Sequence, residues 1–203
     1  MRTITGLFDA YDDASSAVRS LKDAGIPSDD ISIIANNSDG SYGSDHDREN
    51  DVTESAGAGA GIGAVVGSAG GLLAGLGALA IPGVGPVVAG GWLFAIGALT
   101  GAAVGGATGG IIGALKDAGV EERDAHVYAE GVRRGGTLVT ARVDDSRVDA
   151  AQAILRAASD VDIDSRRRQY EDEGWKSFDE SADPYSPDQV RDYRSTIVPP
   201  MNR

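Results

Sequence analysis

The chain has no cysteine, only two histidines and few aromatic residues. Without a thiol, a disulfide framework, a cysteine nucleophile and a thiolate metal site are all excluded. His46 sits among acids and reads as solvated, and His126 reads as a surface or edge histidine rather than a catalytic base. A basic face is missing as well. The net charge of −13 divides as −3 over 1–35, −5 over 36–55, −4 over 116–164 and −1 over 165–203. No segment offers the phosphate contacts that nucleic acid needs, and attraction to an anionic lipid surface is equally unsupported. The first nine residues hold no apolar run long enough for a signal peptide before acids arrive, so the chain is expected to stay in the cytoplasm or to insert from it.

Charge itself is absent from one long stretch, because the sixty-one residues 55–115 carry no Asp, Glu, Lys or Arg. Glycine recurs there at every fourth position, as Gly59, Gly63, Gly67, Gly71 and Gly75, and again as Gly97, Gly101, Gly105, Gly109 and Gly113. Between the two series lies Ile81-Pro82-Gly83-Val84-Gly85-Pro86, where two prolines oppose a helix and two glycines permit positive φ. The spacing predicts a glycine-zipper helical hairpin over 56–115, with helices at 56–80 and 87–115 and its turn at Pro82, Gly83, Gly85 and Pro86. Each glycine set would form one ridge where another backbone approaches closely.

Glycine in a water-exposed helix costs roughly 1 kcal/mol against alanine, so the hairpin needs a bilayer or burial against other zippers. The lengths permit two spans, since about twenty residues cross the hydrocarbon core. The seven large apolar residues of 56–80 contribute only about −2 to −4 kcal/mol toward insertion. Arg48, Lys116 and Arg123 flank the open end, which would leave both termini in the cytoplasm. Two readings stand: a hairpin in or at the cytoplasmic membrane, or a soluble, cytoplasmic homo-oligomer with the zippers buried in it.

The flanks read as one small α+β domain. Residues 3–8 alternate as a strand, and Asp9 caps a helix burying Ala14, Ala17, Val18 and Leu21. Ile31-Ser32-Ile33-Ile34-Ala35 is a second strand, completing a first βαβ half over 1–35. Residues 36–55 form an acidic, flexible linker. Asp45, Asp47, Glu49 and Asp51 alternate as in a calcium loop, but Asn50 stands where the turn glycine belongs and Ala56 where the bidentate glutamate belongs, so no metal site is assigned. Leu115-Lys116-Asp117-Ala118-Gly119 repeats Leu21-Lys22-Asp23-Ala24-Gly25, and both copies look like glycine-capped helix ends. A helix over 120–134 presents Ala125, Tyr128, Ala129 and Val132 on one face. A strand over 137–143, a helix capped by Ser146 and Asp149, and a last strand at Val161-Asp162-Ile163 complete a second half over 116–164. Two βαβ halves predict a ferredoxin-like sandwich into which the hairpin is inserted, followed by a flexible tail over 165–203 in which Arg166-Arg167-Arg168 is a solvated, mixed-charge segment and Trp175 and Phe178 can dock.

No motif for chemistry emerges. Gly75-Leu76-Gly77-Ala78-Leu79-Ala80 fits a dinucleotide fingerprint only formally, and no nucleophile elbow, phosphate loop or zinc-protease helix is present. An enzyme is not expected, and neither a cofactor nor a small-molecule substrate is assigned. With only Ser68, Thr100 and Thr108 as polar side chains inside the candidate spans, a channel or transporter is the weaker alternative.

Thr5-Gly6-Leu7-Phe8, Leu21-Lys22-Asp23-Ala24-Gly25-Ile26-Pro27, the zipper turn at 80–86, and Tyr128 followed by Glu130-Gly131-Val132-Arg133-Arg134-Gly135-Gly136 together resemble the bacterial general stress protein family, which includes heat-induced and low-temperature-induced members. The resemblance spans about 2–164. It implies a bacterial stress-associated protein with a ferredoxin-like domain, and it brings no reaction, cofactor or catalytic residue with it.

Overall fold

The computed structural model describes residues 1–38, 77–81, 84–91 and 110–197. The chain runs β1 (Arg2–Phe8), α1 (Tyr11–Asp23), β2 (Ile31–Asn36), β3 (Gly77–Ile81), β4 (Gly85–Gly91), α2 (Gly110–Asp117), α3 (Glu122–Arg133), β5 (Thr137–Val143), α4 (Val148–Ala157), α5 (Ile163–Asp172) and α6 (Pro187–Ile197). The strands form one five-stranded sheet in the order β1-β5-β2-β4-β3, with every neighbouring pair antiparallel.

Alternation along the strands sorts side chains to two faces. Val139, Ala141 and Val143 share one face, as their spacing predicts, and join Ile4, Phe8, Ile31 and Ile33 against α1 and α4. Leu7, Ile34 and Leu138 point the other way, onto α2 and α3. The sheet is therefore buried on both faces, which explains why every residue of β2 is buried. The two copies of Leu-Lys-Asp-Ala-Gly adopt the same helix end. Gly25 and Gly119 have φ of 82° and 90°, and the amides that follow them donate back to Leu21 and Leu115 at 3.1 and 2.9 Å. That is a Schellman closure, which needs the left-handed residue that glycine supplies without strain.

Several expectations fail. Residues 77–81 and 85–91 are strands rather than the inner ends of two helices. The chain reverses where the prolines and glycines predict, but β4 pairs with β2 from Ser32↔Gly91 to Asn36↔Val87, and Val84 at the turn is buried in the core. A membrane hairpin would carry that turn across about 30 Å of hydrocarbon, away from the domain. The edge of β2 offers unpaired backbone groups that the small and β-branched residues of β4 satisfy, whereas helix would cost each glycine roughly 1 kcal/mol. Among the described residues, no helix is long and apolar enough to cross a membrane. The rest of the predicted hairpin lies outside the described residues, except α2, which occupies its last turns and continues to Asp117.

The expected strand at 161–163 shrinks to one rung, in which Val161 N–H donates to Leu7 O at 2.7 Å. Asp162 accepts from Ser165 N–H at 2.8 Å and caps α5, so the sheet is not the four-stranded one predicted. Nor is the tail flexible throughout, because α5 and α6 lie in it and Tyr170, Phe178 and Val190 are buried. Neither Asp9 nor Ser146 caps a helix: the N-cap positions of α1 and α4 are Ala10 and Arg147, and neither makes a side-chain cap. Asp9 is taken by an arginine instead.

Candidate functional site

Among the described residues, a dense polar network lies where the tail crosses the end of α3. Glu130 and Arg134 are four residues apart, so they share a helix face. Arg134 Nε donates to Glu130 Oε1 at 2.7 Å, and Arg133 Nη1 donates to Glu130 Oε2 at 3.4 Å. The Glu130 side chain is only 1% exposed. Arg134 Nη1 also donates to Glu173, just beyond α5. Its guanidinium lies 4.1 Å from the centre of the Tyr170 ring and 5.3 Å from that of Tyr193. Burial pulls the Arg134 pKa down, but hydrogen bonds to Glu130 and Glu173 outweigh it and hold it above the ordinary value. Burial pushes the Tyr170 hydroxyl up. Both groups therefore keep one protonation state, cation and neutral phenol, at any physiological pH.

A second pair closes the other side of Tyr170. Arg166 meets Asp9 as a fork, with Nη1 and Nη2 donating to Oδ1 and Oδ2 at 2.8 Å each. Asp9 follows β1 directly, so this fork ties the tail to the edge of the sheet. Arg167 pairs with Asp164 at 2.8 Å and with Asp124 across on α3 at 2.5 Å. The arginine triplet is thus spent largely on intramolecular pairs and is not the solvated segment predicted, only Arg168 remaining exposed, where it bonds Ser165.

The backbone beneath is fixed by glycine and asparagine. A Cβ on Gly131 would come within 2.5 Å of Leu7 Cδ2, so only glycine lets α3 lie this close to β1. Buried Asn36 donates through Nδ2 to Val132 O at 2.9 Å and Arg133 O at 3.3 Å, satisfying carbonyls that a helix end leaves open. Residues 130–136 are in this way a hub joining β2, α3 and the tail.

The charged side chains of this arrangement are engaged with one another. Buried Glu130, Arg134 and Arg166 each face a partner of opposite charge. Among the described residues, no group of histidine, aspartate and glutamate could hold a metal ion. A cleft of about 590 Å³ opens between the first turns of α3, at Glu122 and His126, and Glu171, Trp175 and Lys176. Its charges are mixed, and His126 and Trp175 line it, with His126 Nδ1 and Trp175 Nε1 buried without a hydrogen-bond partner. His126 is half-buried, at an edge as expected.

Of the glycines assigned to zipper packing, Gly113 is half-buried in α2. Gly59, Gly63, Gly67, Gly71, Gly75, Gly97, Gly101, Gly105 and Gly109 lie outside the described residues, as do Pro82, Gly83 and the acids 45–51. Gly85 and Pro86 open β4. The buried pairs Glu130–Arg134 and Asp9–Arg166 escape a reading by composition, because charged residues on a helix are ordinarily solvated. The available signal was Glu130 beside Ala129 and Val132, on the border of an apolar stripe.

Fold and site define a mixed α+β domain organised for packing and tethering, with its C-terminal segment clasped to it. Residues 3–83, from β1 to the turn after β3, match the family described as the heat induced stress protein YflT domain. No curated protein and no solved structure matches the chain.

Proposed function

We propose that the chain is a non-enzymatic stress-response protein that assembles with copies of itself through the glycine-rich sequence flanking its β3–β4 hairpin. The observation that supports this is the pairing of β4 with β2. Because Gly77 is in register with Ala89, the uncharged segments 55–76 and 92–109 join the domain at the same end of one hairpin, on one edge of the sheet. A chain of net charge −13 repels its own copies, and a long uncharged stretch is where that repulsion is least. Glycines at four-residue spacing there suit close backbone approach between copies. β1, β5 and β2, with α1 and α4 on one face, serve as the ferredoxin-like frame from which the segments are held. A cytoplasmic location follows from this reading, since the hairpin turn belongs to the domain core and not to the far side of a bilayer.

The test is Gly67→Leu combined with Gly105→Leu in the full chain. Sedimentation should show a loss of oligomer mass while the far-ultraviolet circular dichroism of the α+β domain is retained. Unchanged mass would overturn the reading. Recovery of the unaltered chain in carbonate-washed membranes would restore the lipid-inserted alternative in its place.

A further inference from the structure

We propose that α6 is a releasable strap, which opens from the C-terminal end of α3 while the rest of the domain stays folded. Among its residues only Val190 is buried, and that side chain is seated on Gly135, where a Cβ would come within 2.6 Å of Val190 Cγ1. The other anchors are polar. Arg194 Nε and Nη2 donate to Gly135 O at 2.9 and 2.7 Å, and the Tyr193 ring centre lies 5.3 Å from the Arg134 guanidinium. Before the helix begins, Arg133 Nη2 donates to Asp183 O at 2.9 Å and its guanidinium sits 4.9 Å from the Tyr185 ring.

Apart from the seat of Val190 on Gly135, the groups the strap meets are polar: the guanidinium groups of Arg133 and Arg134 and the carbonyl of Gly135. Such a surface tolerates water when uncovered, as a permanently buried apolar one would not, and polar interfaces of this kind are those that open within a chain. Phe178, 5% exposed within the α2/α3 cluster, pins the segment just upstream. The hinge therefore falls at 183–186, and opening need not disturb α5. Tyr170 and Glu173 would continue to hold Arg134 from below, so release costs the fold no buried ion pair. Opening bares Gly135 O and the outer faces of Arg133 and Arg134. Local openings of this kind have free energies well under that of global unfolding.

Hydrogen exchange on the full chain tests this without reference to the assembly proposed above. Amides of 187–197 should exchange at least tenfold faster than those of β5, and low urea should leave their opening nearly unchanged while β5 responds steeply. Val190→Ala should raise exchange in 187–197 about tenfold and leave β5 as it was. Equal protection of α6 and β5, with the same urea dependence in both, would show that α6 opens only when the whole domain unfolds and would overturn the proposal. The urea series on the unaltered chain decides the matter even where the variant fails to fold.

Discussion

The guanidinium of Arg134 lies 4.1 Å from the Tyr170 ring centre while its Nε donates to Glu130 at 2.7 Å. One side chain thereby links the last turn of α3 to the buried face of α5. Removing only this cation leaves buried Glu130 with Arg133 alone, at the longer distance of 3.4 Å, which approaches the case in which a broken buried ion pair costs most. Arg134→Met should lower stability by about 3–5 kcal/mol in urea titration. Adding Glu130→Gln should recover part of that loss, because the under-compensated charge goes with it.

The fork between Arg166 and Asp9 ties the tail to the end of β1. Asp9 is 23% exposed, so water offsets part of its loss. Asp9→Asn is expected to cost about 1–3 kcal/mol, the range for breaking a hydrogen bond to a charged group. Limited proteolysis should then cut first within 163–186.

Gly131 is required by the approach of α3 to β1. Gly131→Val should destabilise by about 1–3 kcal/mol through overpacking against Leu7. Leu7→Ala in the same chain should be less harmful than on its own, and a double-mutant cycle measures that coupling.

Ser159 has φ of 66°, the one left-handed residue among the described residues that is not glycine. It ends α4 as Gly25 and Gly119 end their helices, with Asp160 N–H returning to Leu155 O at 3.3 Å. Ser159→Gly should raise stability by about 0.5–1 kcal/mol, and Gly25→Ala should lower it by a similar amount. Thermal unfolding of the two variants checks both signs.

Two neighbouring acids respond to pH in opposite senses. Hydrogen bonds from Ser165 hold the Asp162 carboxyl below the ordinary 3.8. Its cap on α5 is therefore fully present above the unfolded value and is lost as pH falls through the lower folded one. Burial pushes Asp160 above 3.8, so ionising it works against the fold, and that contribution relaxes as pH falls. Carbon-detected carboxyl titration should show Asp162 titrating below Asp160. The reverse order would contradict the cap.

Local rules made much of this architecture legible. The alternation in β5, the stripe Ala125, Tyr128, Ala129 and Val132, and the repeated helix ends at Gly25 and Gly119 are decided within a few residues, and the structure has all of them. The turn at 81–86 was readable for the same reason. What it connects was not, because strand or helix at 77–91 depends on the free edge of β2, more than forty residues away. Likewise, Val161 loses its strand to a capping aspartate one residue on. The clasp was least visible, since nothing near Arg134 or Arg166 announces that Tyr170 will lie between them.

The most direct measurement is the mass of the full chain in solution by sedimentation equilibrium over a hundredfold range of concentration. The account predicts a multiple of 20.8 kDa that falls toward one chain in the Gly67→Leu, Gly105→Leu variant. A single 20.8 kDa species at every concentration would contradict it, and would leave the uncharged segments without the role assigned to them.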